Sequence, residues 1–419
     1  MLINEKQLKG YLNLLNSKNQ NDVTLAWEYL MNSNYKLIIS LDDIEYKIQY
    51  LGKDKLIKEI GEYLIPYFES DNLFFLDDKL FKRMLKGKQI KVPLDYSIMF
   101  DTNFASYISR FVKGKLNEID NNSVYTVIDK LIKNQFNFDY QFYLLENSKT
   151  IGNKESERIV LESLKDLELF KSIDSDEYRK SGNVNYTISE EVAYKNASKI
   201  FYSLYGSQMG ENILNVIKER LNNCILFLIG MYKIQFQSKK SAKNKMIELK
   251  KYINEVLGVY LERESIMAYE YFDKNRELTI FNKLTKGNKN LDREKLIAII
   301  ENTAWDLLVP RVMEISISAF SREVFFIPYF LTFDQGLKKY FNLINAKGIL
   351  FKKDTINYTP FYSKKSQDYF KEKNIDLRDL FSEENREKRY RIHEKNLRNY
   401  QEVVSKELDE LWNIINTNN

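Results

Sequence analysis

The chain has 419 residues, 44% apolar and 14% aromatic, which is enough to bury a large core and too much for general disorder. Sixty-four basic against 59 acidic residues give a net charge of +5, mild for this length, so charge neither requires nor excludes a nucleic-acid partner. A single cysteine, Cys224, and a single histidine, His393, exclude disulfide scaffolds and cysteine–histidine zinc sites within one chain.

Only fourteen glycines and five prolines interrupt the chain, so long helices should dominate. Residues 1–92 are expected to form an N-terminal helical region. Leu8, Leu12 and Leu15, then Ala26, Tyr29 and Leu30, then Leu56, Ile57, Ile60, Tyr63 and Leu64 follow helical spacing. The start, Met1 to Lys6, lacks a basic region followed by an apolar stretch, and the longest apolar run, Cys224 to Tyr232, is too short to span a bilayer. A cytoplasmic protein without a membrane partner is the expectation. Lys86 to Pro93 reads as a basic connector. Tyr96 to Phe100 then reads as a short strand, with Thr102-Asn103 opening a helix. Val124, Val127, Ile128, Leu131 and Ile132 mark another helix.

Residues 153–290 read as mainly helical, with an interruption at 181–189 and two long helices around Ser238 to Ser241. Lys239, Lys240, Lys243, Lys245, Lys250 and Lys251 cluster there, and read first as a solvated hairpin tip. Residues 292–322 form one more helix, where Pro310 predicts a kink or a break. A strand follows from Val324 to Thr332, then a short helix over Leu337 to Ile344, then a strand after Gly348. That order predicts a βαβ unit and a parallel sheet. Residues 356–419 are a C-terminal extension with one charged helix from Glu383 to Ile415, about 50 Å long if straight. Its Arg386, Lys388, Arg391 and Arg398 alternate with acids, the pattern of a solvated face, and His393 reads as a solvated residue on it. Its apolar residues Leu397, Tyr400, Val404, Leu408, Leu411 and Trp412 would pack on the body, on a protein partner or on a second copy.

With no histidine–cysteine chemistry available, catalysis would fall to carboxylates. Asp101 ends Tyr96-Ser97-Ile98-Met99-Phe100, Glu146 follows Phe142-Tyr143-Leu144-Leu145, Asp306 lies in Ala304-Trp305-Asp306-Leu307-Leu308, and Asp334 ends Tyr329-Phe330-Leu331-Thr332-Phe333. Acids at the carboxyl ends of parallel strands sit where α/β sheets bind ligands. Hard oxygen donors that converge suit Mg²⁺ or Mn²⁺, which could activate a water on a phosphodiester. Each acid alone reads first as a helix cap, a turn residue or a surface charge.

Met99-Phe100-Asp101-Thr102-Asn103 resembles the opening strand motif of PIN-like nucleases, and Leu331-Thr332-Phe333-Asp334-Gln335-Gly336-Leu337 resembles their late strand with its Thr-x-Asp pattern. The resemblance covers about residues 95–150 and 300–355. It implies an α/β fold with a small parallel-sheet PIN-like core, split between residues 93–152 and 291–355 by a helical insertion over 153–290 and surrounded by added helices. It also implies Asp101, Glu146, Asp306 and Asp334 as catalytic metal ligands for Mg²⁺ or Mn²⁺. Glu314 is the substitute for Asp306, and Glu155 or Glu157 for Glu146. Asn103, Lys338 and Lys339 would contact substrate, which the resemblance makes RNA before DNA. A toxin or antiviral defence role would suit such a nuclease. The rival expectation is a non-enzymatic, mostly helical interaction or RNA-binding protein.

Overall fold

The computed structural model describes residues 4–42, 53–68, 70, 72–87, 91–116, 122–273, 278–285, 291–321, 323–343, 345–353 and 355–416. Lys88, Gln89 and Ile90 of the basic connector, and Ile344, lie outside the described residues. Helix outweighs strand, 66% against 12%, so the chain is mainly helical with small mixed sheets, as its scarcity of glycine and proline predicts. It divides into two compact units. The first comprises Met1–Leu214, Arg311–Phe333 and Ala346–Phe361; the second comprises Asn215–Pro310, Asp334–Asn345 and Tyr362–Asn419.

In chain order the elements are α1 (Glu5–Asn16), α2 (Gln20–Trp27), β1 (Tyr35–Ser40), α3 (Lys53–Ile60), β2 (Leu64–Pro66), β3 (Leu73–Asp77), α4 (Asp78–Met84), β4 (Leu94–Phe100) and α5 (Thr102–Val112). Next come α6 (Asn122–Asn134), α7 (Gln141–Asn147), α8 (Lys154–Lys171), α9 (Ser175–Ser181), α10 (Glu190–Tyr205), α11 (Gln208–Gln237), α12 (Ala242–Tyr252) and α13 (Glu262–Phe272). The chain continues with α14 (Arg293–Phe320), β5 (Phe325–Leu331), α15 (Gln335–Leu343), β6 (Ala346–Lys352), β7 (Tyr358–Tyr362), α16 (Ser366–Glu372), α17 (Glu383–Arg398) and α18 (Tyr400–Asn416).

The first unit is built on two sheets, in strand orders β3-β1-β6-β7 and β2-β5-β4. All seven residues of β5 are buried, which fits an unbroken apolar strand covered on both faces. β4 and β5 run parallel, with Phe100 opposite Leu331, so both leave the sheet at the same edge. The segment at Phe138 adds a parallel bridge to Ile98 on the other side of β4. Pro328 is tolerated in β5 because β2 pairs only with Tyr329 to Leu331, leaving that flank of the strand open at the proline.

Four expectations need correction. Three strands, β1 to β3, lie within residues 1–92, where spacing predicts only helices. β5 and β6 do not form a βαβ unit: β6 pairs antiparallel with β1 in the other sheet, and the parallel partner of β5 is β4. Of the kink or break expected at Pro310, the break does not occur, since α14 is helical from Arg293 to Phe320. The C-terminal helix is two helices, because Asn399 leaves helical geometry at φ −119°, ψ 31°.

In the second unit the Cys224–Tyr232 run is a buried helical core, as its composition predicts; Phe227, Leu228, Ile229 and Tyr232 are fully covered. The Tyr232 hydroxyl donates to the Phe281 carbonyl at 3.1 Å. Helix α18 buries Val404, Leu408 and Leu411, so its apolar face is used within this unit, while Tyr390, Leu397 and Trp412 remain exposed. His393 is less solvated than its charged helix predicts. It faces Glu219 at 3.2 Å, and its Nδ1 is sealed from solvent.

Candidate functional site

The apolar strand β4 ends at Phe100, and the next residue turns the chain into α5. Asp101 is extended (φ −77°, ψ 171°), and its Oδ1 accepts from the Phe104 amide at 2.8 Å. The cap is therefore Asp101, one residue before the Thr102-Asn103 expected to open the helix, and it satisfies one of the orphan amides of the first turn. The other carboxylate oxygen, Oδ2, accepts from the Thr332 hydroxyl at 3.2 Å. Thr332 follows β5 and is itself anchored by donating its amide to the Tyr63 carbonyl at 2.9 Å. The two strand-end motifs therefore meet through Asp101 and Thr332.

Glu146 arrives at the same place from α7. Its Oε2 accepts from both the Thr102 amide (3.0 Å) and the Thr102 hydroxyl (2.5 Å). Asn147 donates to the Thr102 hydroxyl at 3.1 Å and to the Tyr143 carbonyl at 2.8 Å. Two carboxylates thus sit on the first turn of α5, where the helix dipole and the free amides favour negative charge. Half-buried aromatic side chains lie alongside. Phe333 stacks on Phe104 at 5.9 Å and approaches Tyr63 at 4.3 Å and Tyr107 at 6.5 Å. Asn103 is exposed on the same turn.

The other two acids meet in the second unit. Asp334 caps α15, its Oδ1 accepting from Gly336 (2.7 Å) and Leu337 (3.3 Å). Gly336 sits in a tight spot, since a Cβ there would stand 2.7 Å from the Thr279 hydroxyl and 3.0 Å from the Ile280 amide nitrogen, and a neighbour would have to shift. Lys283 brings its ammonium to 2.8 Å from Asp306 Oδ2 and 3.9 Å from Asp334 Oδ2. A single ammonium therefore bridges this pair and offsets one of its two charges. Lys338 and Lys339 follow on α15, half-buried and exposed respectively.

The four acids fall into two pairs, one in each unit. Of the substitutes, Glu314 is buried in the first unit and accepts from the Tyr67 hydroxyl at 3.0 Å. Glu155 pairs with Arg158 at 2.6 Å, and Glu157 accepts from the Gly152 amide at 2.9 Å, both in the first turn of α8. Among the described residues no group of three or more His, Cys, Asp or Glu is arranged to hold a metal ion. The lysine cluster at 239–251 is largely engaged. Lys240 meets Glu248, Lys250 meets Asp379, and buried Lys245 donates to Gln235.

Sequence reasoning missed Thr102 and Asn147 as the link between the two acids of the first unit, because Thr102 meets Glu146 across 44 residues and Asn147 across 45. It also missed the aromatic group around Phe333, which no local pattern marks. No family model, curated protein or solved structure matches this chain. No described helix is long and apolar enough to cross a membrane.

Proposed function

We propose that the chain is a divalent-metal-dependent nuclease that hydrolyses phosphodiester bonds in RNA, and that its PIN-like part is the parallel β5-β4-Phe138 layer. One observation carries the reading. Asp101 and Glu146, 45 residues apart, converge on the first turn of α5 at the edge where the parallel strands β4 and β5 end, and Thr332 of the late motif reaches Asp101.

The donor set suits a hard, well-hydrated cation. Mg²⁺ is commonly held by one or two carboxylates, with waters and substrate phosphates completing its shell. Asp101 and Glu146 are the residues that would hold it. When bound, the ion supplies an activated water and offsets charge on the scissile phosphate. The chain's own part is orientation: Thr102 fixes Glu146 through two hydrogen bonds, Thr332 fixes Asp101, and exposed Asn103 is placed to contact substrate. The half-buried Phe333, Tyr63 and Tyr107 offer faces on which an unpaired base could stack, which favours a single strand.

The hydrogen bonds themselves favour a second reading. Asp101 already uses one oxygen as a helix cap and the other on Thr332, so it serves the fold without any metal. The protein would then bind RNA without cutting it. Incubation of end-labelled RNA with Mn²⁺ separates the two readings. Cleavage that chelator stops, and that Asp101→Asn and Glu146→Gln each abolish, supports the nuclease. Absence of divalent-stimulated cleavage of single-stranded RNA, duplex RNA and DNA alike would leave the binding reading.

A further inference from the structure

The first unit carries a row of cations on and just after α4. Asp77 caps α4 by accepting from the Leu80 amide at 2.7 Å; the helix carries Lys79, Lys82 and Arg83 at relative positions 0, 3 and 4, and Lys86 lies in the turn after its end at Met84. Helical residues at that spacing share one face, here over about 6 Å, and Lys86 continues the row past the helix end. Lys79, Lys82 and Lys86 are exposed and Arg83 is half-buried. Beside the row lies a cavity of about 240 Å³ whose lining adds Lys36, Lys91 and Lys353.

Basic residues outnumber acids in that lining, Lys36, Lys79, Arg83, Lys91 and Lys353 against Asp77, Asp78 and Glu323, and the acids already serve the fold. Asp78 accepts from Trp27 Nε1 at 3.1 Å and from the Asn32 amide at 2.9 Å. Asp77 is the cap, and Glu323 pairs with Lys353 at 3.2 Å. The cavity is smaller than the roughly 300–1,000 Å³ of organic ligand pockets. Its aromatic members, Tyr35 and Phe325, are buried and present no face to a base. Charge without base readout points to phosphate.

We propose that this groove binds the phosphodiester backbone of a single nucleic-acid strand, with one phosphate in the cavity and the next ones along α4. A duplex is the poorer fit, because it presents two backbones across a groove about 12 Å wide, while the row follows one helix face and the turn after it. Contacts of this kind position a strand without reading its sequence. The groove holds the strand whether or not Asp101 and Glu146 cut it.

The test is fluorescence anisotropy of a labelled single-stranded RNA of about 12 nucleotides with the full-length protein in chelator, so that cleavage plays no part. The combined variant Lys79→Glu, Lys82→Glu, Lys86→Glu should bind at least about tenfold more weakly. It should also flatten the slope of log K against log salt by about 2, since each single-strand phosphate contact contributes about 0.7. The milder Lys79→Gln, Lys82→Gln, Lys86→Gln variant should lose affinity in the same sense, which guards against misfolding of the first. Lys239→Glu with Lys243→Glu, exposed on the second unit, should stay within about twofold of wild type. Wild-type binding by both α4 variants overturns the proposal. So does an equal loss in the control, or competition won by anionic phospholipid vesicles or by duplex over the single strand.

Discussion

Asp101 performs two duties that one pair of substitutions can separate. As a cap it needs only an oxygen for the Phe104 amide, and asparagine supplies one about as well as aspartate. As a metal ligand it needs charge. Asp101→Ala removes the cap, about 1 kcal/mol, and the hydrogen bond from Thr332, about 1 kcal/mol more, for a total near 2 kcal/mol. For a unit of this size that corresponds to a fall in Tm of roughly 4–8 °C. Asp101→Asn keeps the cap and can reorient its amide toward Thr332, so its stability should lie within about 0.5 kcal/mol of wild type. Activity should follow the opposite logic. A charge that holds a catalytic cation is worth several kcal/mol in the transition state, so Asp101→Asn should lose at least about a hundredfold in cleavage rate. Thermal unfolding and Mn²⁺-dependent cleavage of labelled RNA, on the same preparations, provide both readouts. An Asp101→Asn protein that cuts like wild type refutes the metal role. An Asp101→Ala protein as stable as wild type refutes the capping account.

Three further substitutions probe how the two units are held. Asp139 Oδ2 is sealed from solvent and burial raises its pKa, an effect that Ser97, the Gln141 amide and Lys171 only partly offset. An acid raised on folding contributes its stability below the unfolded pKa, about 4, and loses it as pH climbs through the folded value. Asp139→Asn should therefore gain on wild type progressively above about pH 4 in urea unfolding, and parallel pH profiles would count against the burial argument. In the second unit Gly258 has φ +76°, and a Cβ there would lie 2.6 Å from the His393 amide nitrogen and 2.9 Å from the Arg389 carbonyl. Gly258→Ala should cost more than about 2 kcal/mol, against under about 1 kcal/mol if the helix end simply shifts. Lys36 is buried, donates to the Ser321 and Val324 carbonyls at 2.8 Å each, and lies over Phe325 at 4.4 Å. Lys36→Met strands two carbonyls and should cost about 3 kcal/mol by denaturant unfolding; a loss below about 1 kcal/mol would show that water replaces the ammonium.

The strand-to-helix turn at Asp101 was legible because its information is local: an apolar run, then Asp-Thr-Asn, then helical spacing. Asp334-Gln-Gly is legible for the same reason, since the cap and the tight approach at Gly336 both leave a residue signature. The strands β1 and β3 were not. Tyr-Lys-Leu-Ile-Ile-Ser and Leu-Phe-Phe-Leu-Asp are short apolar runs, which periodicity cannot tell from buried helix. Pairing lay further out of reach. β6 finds its partner β1 more than 300 residues away, and no local pattern distinguishes that from pairing with the nearer β5. The break at Asn399 has neither glycine nor proline and interrupts charge patterning that continues on both sides. The meeting of Glu146 with Thr102 is a tertiary fact that no local pattern marks; spacing suggests only that Glu146 could join Asp101.

The two acid pairs differ in how their charge is met, and that difference locates where a divalent ion should bind. Asp306 and Asp334 share the full ammonium of Lys283, so a second cation there must displace it or be repelled. Glu146 is held by an amide and a hydroxyl, neutral donors that orient a carboxylate without cancelling its charge. Calorimetric titration with Mn²⁺ should therefore show a site that Glu146→Gln weakens at least about tenfold and that Asp306→Asn leaves within about twofold. Lys283→Met should instead open a new site, because it leaves two acids facing each other with their ammonium removed. If Asp306→Asn abolishes Mn²⁺ binding while Glu146→Gln spares it, the reasoning from neutral donors is wrong and the second unit holds the ion.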